Sequence, residues 1–403
     1  MAQPETVRDA TAGVHLVAER HKHADDRGPA VVNSQAMPTP FALRFAGLLA
    51  FVSVCTCGQA ITDSVQVGRV TTLAGNARSS GNVDGTGSAA SFLSPKAMAV
   101  DDDGNIYTVD NRCGNVRKIT RKGVVTTVAG PVGTCAFGSA DGTGAAALFN
   151  QPSGTTVDRE GNIFVADSGN CTLRKVTKAG VVTTVAGAPS VCVAVDGPKS
   201  VARFNTLAGV AVDKDDNVFV TSWYDCTVRK VTPTGNVTTI VGVSGVCGEK
   251  DGVGTNARLG NPSGIVMDKH GDFYIADETG CTVRKMTASG VVTTVAGNPG
   301  MCGSKDGVRS AAKFNVPSWT AVDQDGNIYV SDYLNFTIRE VTPAGVVTTL
   351  AGLSGVAGSA DGLGTAARFD HPDGIASVDG EKHVKVYVAD RNNNTVRKIR
   401  IAK

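Results

Sequence analysis

Residues 157–187 read VDREGNIFVADSGNCTLRKVTKAGVVTTVAG and decide the fold. Three runs in this stretch alternate apolar and polar residues: NIFVAD from Asn162, TLRKV from Thr172 and VVTTVAG from Val181. Asp- and Gly-containing turns separate them, which is the pattern of short antiparallel strands in a meander. Outward from this stretch the same unit recurs. The phrase VTT starts at Val70, Val125, Val182, Val237, Val292 and Val347, a near-constant period. An apolar-x-Val-Asp phrase, or a close variant, ends at Asp101, Asp158, Asp213, Asp268, Asp323 and Asp379. It marks a further strand just before each NIFVAD-type run. Each unit is therefore four strands, and a four-strand sheet repeated at this period predicts an all-β propeller with six blades.

Counting strands predicts how the ring closes. The first three strands of the unit occur six times, but the first VTT strand, at Val70, precedes all of them and none follows the last unit. The N-terminal strand is thus expected to complete the last blade, which removes both free sheet edges. A second repeated phrase, Asp-Gly followed by Phe or Leu eight residues after the Asp, stands before each first strand, from Asp84–Phe92 to Asp361–Phe369. It predicts a turn, then one helical turn that drops the aromatic residue between neighbouring sheets. The Asp-Gly element lacks the further carboxylates of a calcium loop.

These phrases resemble the NHL-repeat family, whose members form six-bladed propellers, and the resemblance covers residues 70–403. It implies a scaffold that carries binders and enzymes alike.

Composition bounds the function. Of 403 residues 48 are Gly, and 39 Lys and Arg nearly cancel 37 Asp and Glu, leaving a net charge of +2. Nothing in that balance favours nucleic acid or an anionic membrane as a partner. Residues 1–36 are polar and aperiodic and read as a disordered leader or a gene-model artefact, with Met37 as the true start. Residues 37–60 carry one arginine, an apolar run of about eleven residues from Phe45 and a small-residue end, the layout of an export signal. That run is too short to span a bilayer. Residues 61–403 are then the propeller, a secreted monomer.

Eight cysteines remain after the signal. They fall as Cys113 and Cys135, Cys171 and Cys192, Cys226 and Cys247, Cys281 and Cys302, with nearly the same spacing inside every pair. In each pair the first precedes a third strand and the second follows a fourth, so four disulfides within blades are expected. In the fifth blade both positions change together, to Phe336 and Ala357. Cys113 stands four residues before its arginine where the others stand three, the one irregularity in the set. No two of these cysteines have CxxC spacing, which opposes zinc.

Features shared by most blades are read as structural. Asp110 and Arg117, and their counterparts in four other blades, lie seven apart and predict an ion pair or turn clip. Residues that break the repeat are the better guide to function. In the third blade the usual Asp becomes Ser222, followed by Trp223 and Tyr224. In the fifth, Trp319 replaces the usual Gly of the first strand, and the loop carries Tyr333 and Phe336. Arg391 occupies the same loop of the sixth blade. Trp223, Tyr224, Trp319, Tyr333, Phe336 and Arg391 are therefore expected on one loop face, as a site for an extracellular protein or glycan. The competing reading has Trp319 and Phe336 filling the space of the missing disulfide.

The alternative function is an enzyme of lactonase or lyase type with an axial metal. No cofactor is expected: His270 and His383 lie in turns at one end of the blades and His371 at the other, so the three cannot converge, and no GxSxG, HExxH or P-loop pattern occurs. Four N-x-[ST] sequons stand at Asn170, Asn236, Asn335 and Asn393, of which glycans at Asn335 or Asn393 would crowd the loop face.

Overall fold

A computed structural model describes residues 67–403; the leader and the export signal lie outside the described residues. Six antiparallel sheets form in chain order. In the second blade the strands are Pro152–Val157, Ile163–Asp167, Thr172–Val176 and Val181–Gly187, each paired with the next. Each first strand contacts the first strands of both neighbouring blades, so the six close around a central channel. The strand Arg69–Gly75 pairs antiparallel with Thr395–Ala402, Val70 opposite Ile399, and so completes the sixth blade as expected.

Five blades have a fifth strand that the four-strand reading left out. It is two residues long, Gly142–Thr143 in the second blade, and it pairs with the outer edge of the fourth strand. The Asp-Gly element supplies it, and the 3-10 turn Gly144–Ala146 follows. The third blade has a single bridge there, Gly197 to Val237. A two-residue strand has no alternation to read, which is why the repeat pattern did not reveal it.

The repeated Asp and Arg form a buried clip. Arg174 is fully buried, with its guanidinium 2.7 Å from Asp167 and 2.7 Å from Asp141. Asp141 also accepts the Thr184 amide at 3.0 Å, tying the outer strand to the clip. Beneath lies the Phe149 ring, 5.1 Å from the guanidinium carbon, itself wholly buried between blades. The same stack recurs on Phe92, Phe204, Phe314 and Phe369. A cation removed from water needs this density of partners, and the ring face supplies one more. Burial pushes the inner carboxyls up, to about 6 for Asp167, Asp332 and Asp390, against the pull of the arginine beside each.

In three blades the clip is also closed by an asparagine: the side-chain amide of Asn170 donates to Asp167 at 2.8 Å and to the Gly138 carbonyl at 2.6 Å. Asn335 and Asn393 do the same in the fifth and sixth blades. All four expected disulfides are present, with Cα–Cα separations of 4.2, 5.4, 5.2 and 5.3 Å. The irregular Cys113 has a local cause. The left-handed position held by Cys171, Cys226 and Cys281 is taken in the first blade by Gly114, with Cys113 one residue earlier where the asparagine would be. Asn82 from the preceding loop closes that clip instead, accepting from Arg117 at 3.3 Å.

Candidate functional site at the channel mouth

The first strand opens at one end of the channel. Five of the six residues that precede a first strand (Ser94, Gln151, Thr206, Val316 and His371) have positive φ in the left-handed region, and this bend leads the chain towards the axis. Non-glycine residues held there cost of order 1–3 kcal/mol each, so the surrounding structure must enforce them. In four blades the residue after the second strand is tied to the residue before the first: the Asn111, Trp223, Glu278 and Tyr333 amides donate to the carbonyls of Ser94, Thr206, Asn261 and Val316 at 3.1, 3.1, 3.1 and 3.3 Å.

Two structural positions therefore ring the mouth. The residue following each second strand is Asn111, Ser168, Trp223, Glu278, Tyr333 and Arg391 in blade order, six different side chains. The second residue of each first strand is Lys96, Ser153, Ala208, Ser263, Ser318 and Asp373. All six of the former and five of the latter line one cavity of about 390 Å³, to which every blade contributes.

Charge in this cavity is arranged in two groups. The Arg391 guanidinium lies 3.3 Å from Asp373 and donates to Ser94 Oγ at 2.9 Å. Glu278 accepts the Trp223 indole N–H at 2.8 Å. Burial pushes the Glu278 carboxyl up to about 7, with Asp373 adding to the rise, while Trp223, Ser263 and Lys96 pull the other way. Lys96 is ringed by these groups without touching any of them: it has no hydrogen bond or ion pair to a described residue. Burial holds its ammonium below the usual lysine range, against the pull of Asp373 and Glu278.

Of the residues singled out in the sequence, Trp223, Tyr224, Tyr333 and Arg391 come together in this cavity. Tyr224 is 60% exposed and stands edge-on to Trp223, ring centroids 4.6 Å apart. Two do not join them. Trp319 is 3% exposed and packs in the channel wall, over Gly264 of the preceding blade. Its five equivalents are Ala97 and four glycines, so the indole fills a gap that small neighbours leave. Phe336 lies outside the mouth cavity, edge-on to His371 at 4.9 Å, on the rim. Sequence reasoning missed Lys96, Glu278 and Asp373. Aligning the Pro-Ser-Gly opening of the first strand across the six copies isolates Lys96 and Asp373 as charged departures.

The sequons do not crowd this face. Asn170, Asn335 and Asn393 are buried, and each side-chain amide nitrogen is spent in the clip described above. The channel's other end offers different chemistry. Among the described residues, the one group of three carboxylates close enough to share a cation is Asp323, Asp325 and Asp379, and the Lys403 ammonium lies 2.7 Å from Asp379 and 3.5 Å from Asp325.

Comparison with known proteins agrees with this architecture. Residues 149–176 match the model of the NHL repeat, and residues 244–306 match that of the teneurin NHL domain. The chain is a six-bladed propeller whose second blade matches the NHL repeat. Mouse teneurin-4 is 29% identical over 222 residues, 48% of this chain but 8% of the teneurin. Bovine NHL repeat-containing protein 2 is 31% identical over 153 residues, 35% of this chain and 21% of that protein. The chain thus spans a small part of the relatives it matches. Among solved structures, an auxiliary nutrient binding protein from Bacteroides thetaiotaomicron superposes with a TM-score of 0.63 at 18% identity, over 84% of this chain and 77% of that one. At that identity the likeness is one of fold. This propeller differs from a generic ring of six equal blades in its mouth, where equivalent positions carry unlike residues.

Proposed function

We propose that this propeller is an exported binding module that takes a glycan in the mouth of its channel. One observation carries the reading: a structural position repeated six times holds six different residues, and they enclose a cavity of about 390 Å³. Symmetric packing needs one residue type at an equivalent position; an asymmetric ligand needs several. The cavity is of the size that suits a small molecule or a chain end. It combines an aromatic pair, Trp223 and Tyr224, with amide and hydroxyl side chains such as Asn111 and Ser263, and a sugar presents both an apolar face and hydroxyls to such a wall. Four disulfides fit an oxidising compartment, which supports export. A propeller of the same fold is described as a nutrient binding protein, a use of the scaffold that accords with this one.

The second reading is a protein partner, for which Tyr224 and Leu334, 60% and 40% exposed on the rim, speak. A glycan array probed with purified residues 61–403, alongside the Trp223→Ala variant, separates the two. Saturable glycan binding lost in Trp223→Ala is the expected result. A blank array, with capture of an extracellular protein that is lost in Tyr224→Ala, would replace the glycan with a protein.

A further inference from the structure

Among the described residues, Lys96 is the one charged group of the mouth without a partner. Arg391 is matched by Asp373 at 3.3 Å, and Glu278 is held by the Trp223 indole at 2.8 Å. The Lys96 ammonium lies among these groups, open to the cavity, and makes no ion pair or hydrogen bond within the described residues. A cation held away from bulk water and left unpaired is unfavourable unless an anion arrives to meet it. The other five copies of its position show that the scaffold does not need it there: they are Ser153, Ala208, Ser263, Ser318 and Asp373.

From this geometry we infer that the ligand of the mouth carries a carboxylate, which Lys96 receives, so that the site selects sugar acids of the uronic type over neutral sugars. This rests on the glycan reading given above. The aromatic pair covers the ring and the ammonium takes the acid. Asp373 is spent on Arg391, so it does not repel the incoming carboxylate as a free charge. Glu278 lies close, and burial pushes it up to about 7, so that it takes up a proton readily when a second carboxylate approaches. A carboxylate beside Lys96 opposes the effect of burial, which holds its ammonium below the usual lysine range.

The test is calorimetric titration of purified residues 61–403 with digalacturonate, with its dimethyl ester and with the neutral galactose disaccharide. A charge-assisted hydrogen bond predicts that the acid binds about ten- to a hundredfold more tightly than the ester. Lys96→Met is expected to abolish that preference while leaving the weak binding of the ester in place. The ester comparison alters the ligand and not the protein, so it stands even where Lys96→Met fails to fold. Acid and ester binding with equal affinity would overturn the inference and leave the glycan reading standing. Binding of none of the three, with the parent folded by its melting curve, would overturn both.

Discussion

At the residue scale, the buried clips show how one function passes between positions. Blades two, five and six close the clip with an asparagine, whereas blade four has Gly280 there, and Glu249 from the preceding loop fills the place: a Cβ on Gly280 would collide with its carboxylate. Burial and the neighbouring Asp277 carboxyl push Glu249 up, so it holds a proton and donates to Asp277 as the asparagine does elsewhere. The equivalent of Glu249 in blade two is Ser139. Gly280→Asn alone should therefore cost about 1–3 kcal/mol, and Glu249→Ser alone a similar amount, by leaving Asp277 and Arg284 short of a partner. The double variant restores the blade-two pattern and should be at least about 1 kcal/mol more stable than the singles predict by addition, read from urea unfolding. Additive losses would show that the two positions do not share a clip.

Glu278 supplies a pH dependence on the same scale. Its folded value of about 7 lies above the ordinary glutamate value, so its contribution to stability is complete at acid pH and is lost as pH rises towards 7. The groups facing it are Lys96, Asp373, Trp223 and Ser263. Melting curves from pH 4 to pH 8 should show Glu278→Gln gaining on the parent as pH rises. A constant difference across that range would mean that Glu278 stays ionised.

At the scale of the element, each blade is fastened at two depths. The phenylalanine between sheets carries both apolar burial and the guanidinium above it, so Phe149→Ala should cost about 3–5 kcal/mol in chemical unfolding. Phe149→Leu should cost much less, because Leu259 already does this work in the fourth blade, where no ring lies under Arg284. The disulfides act nearer the rim. Replacing Cys171 and Cys192 together by alanine should cost about 3 kcal/mol, chiefly by freeing a loop in the unfolded chain, and should leave the folded circular dichroism spectrum unchanged. A changed folded spectrum would give that disulfide a role in shaping the native blade.

At the scale of the whole molecule, closure depends on a strand from the other end of the chain. Arg69–Gly75 supplies the fourth strand of the sixth blade, and Gly68 also donates to Leu350 in the fifth. Removing residues 67–75 bares the Thr395–Ala402 strand, an edge with alternating buried side chains. Such an edge pairs with other chains. The truncated protein should oligomerise on gel filtration and lose its single cooperative melting transition; a monomer with the parent's transition would show that the ring tolerates an open blade.

Period and spacing alone determined the six blades, their strand order, the disulfide pairs and the closing strand, because each of these is repeated and a repeat announces itself in one dimension. The same repetition hid the site. Lys96, Trp223 and Glu278 belong to three different blades, a full repeat or more apart in the chain, and nothing local joins them. Trp319 breaks the repeat as plainly as Trp223, yet it stands one place beyond Ser318, the mouth position of its strand, and successive side chains on a strand point to opposite faces. Which departures from the repeat meet at one point was decided by the ring, which brings equivalent ends of six blades to a single axis.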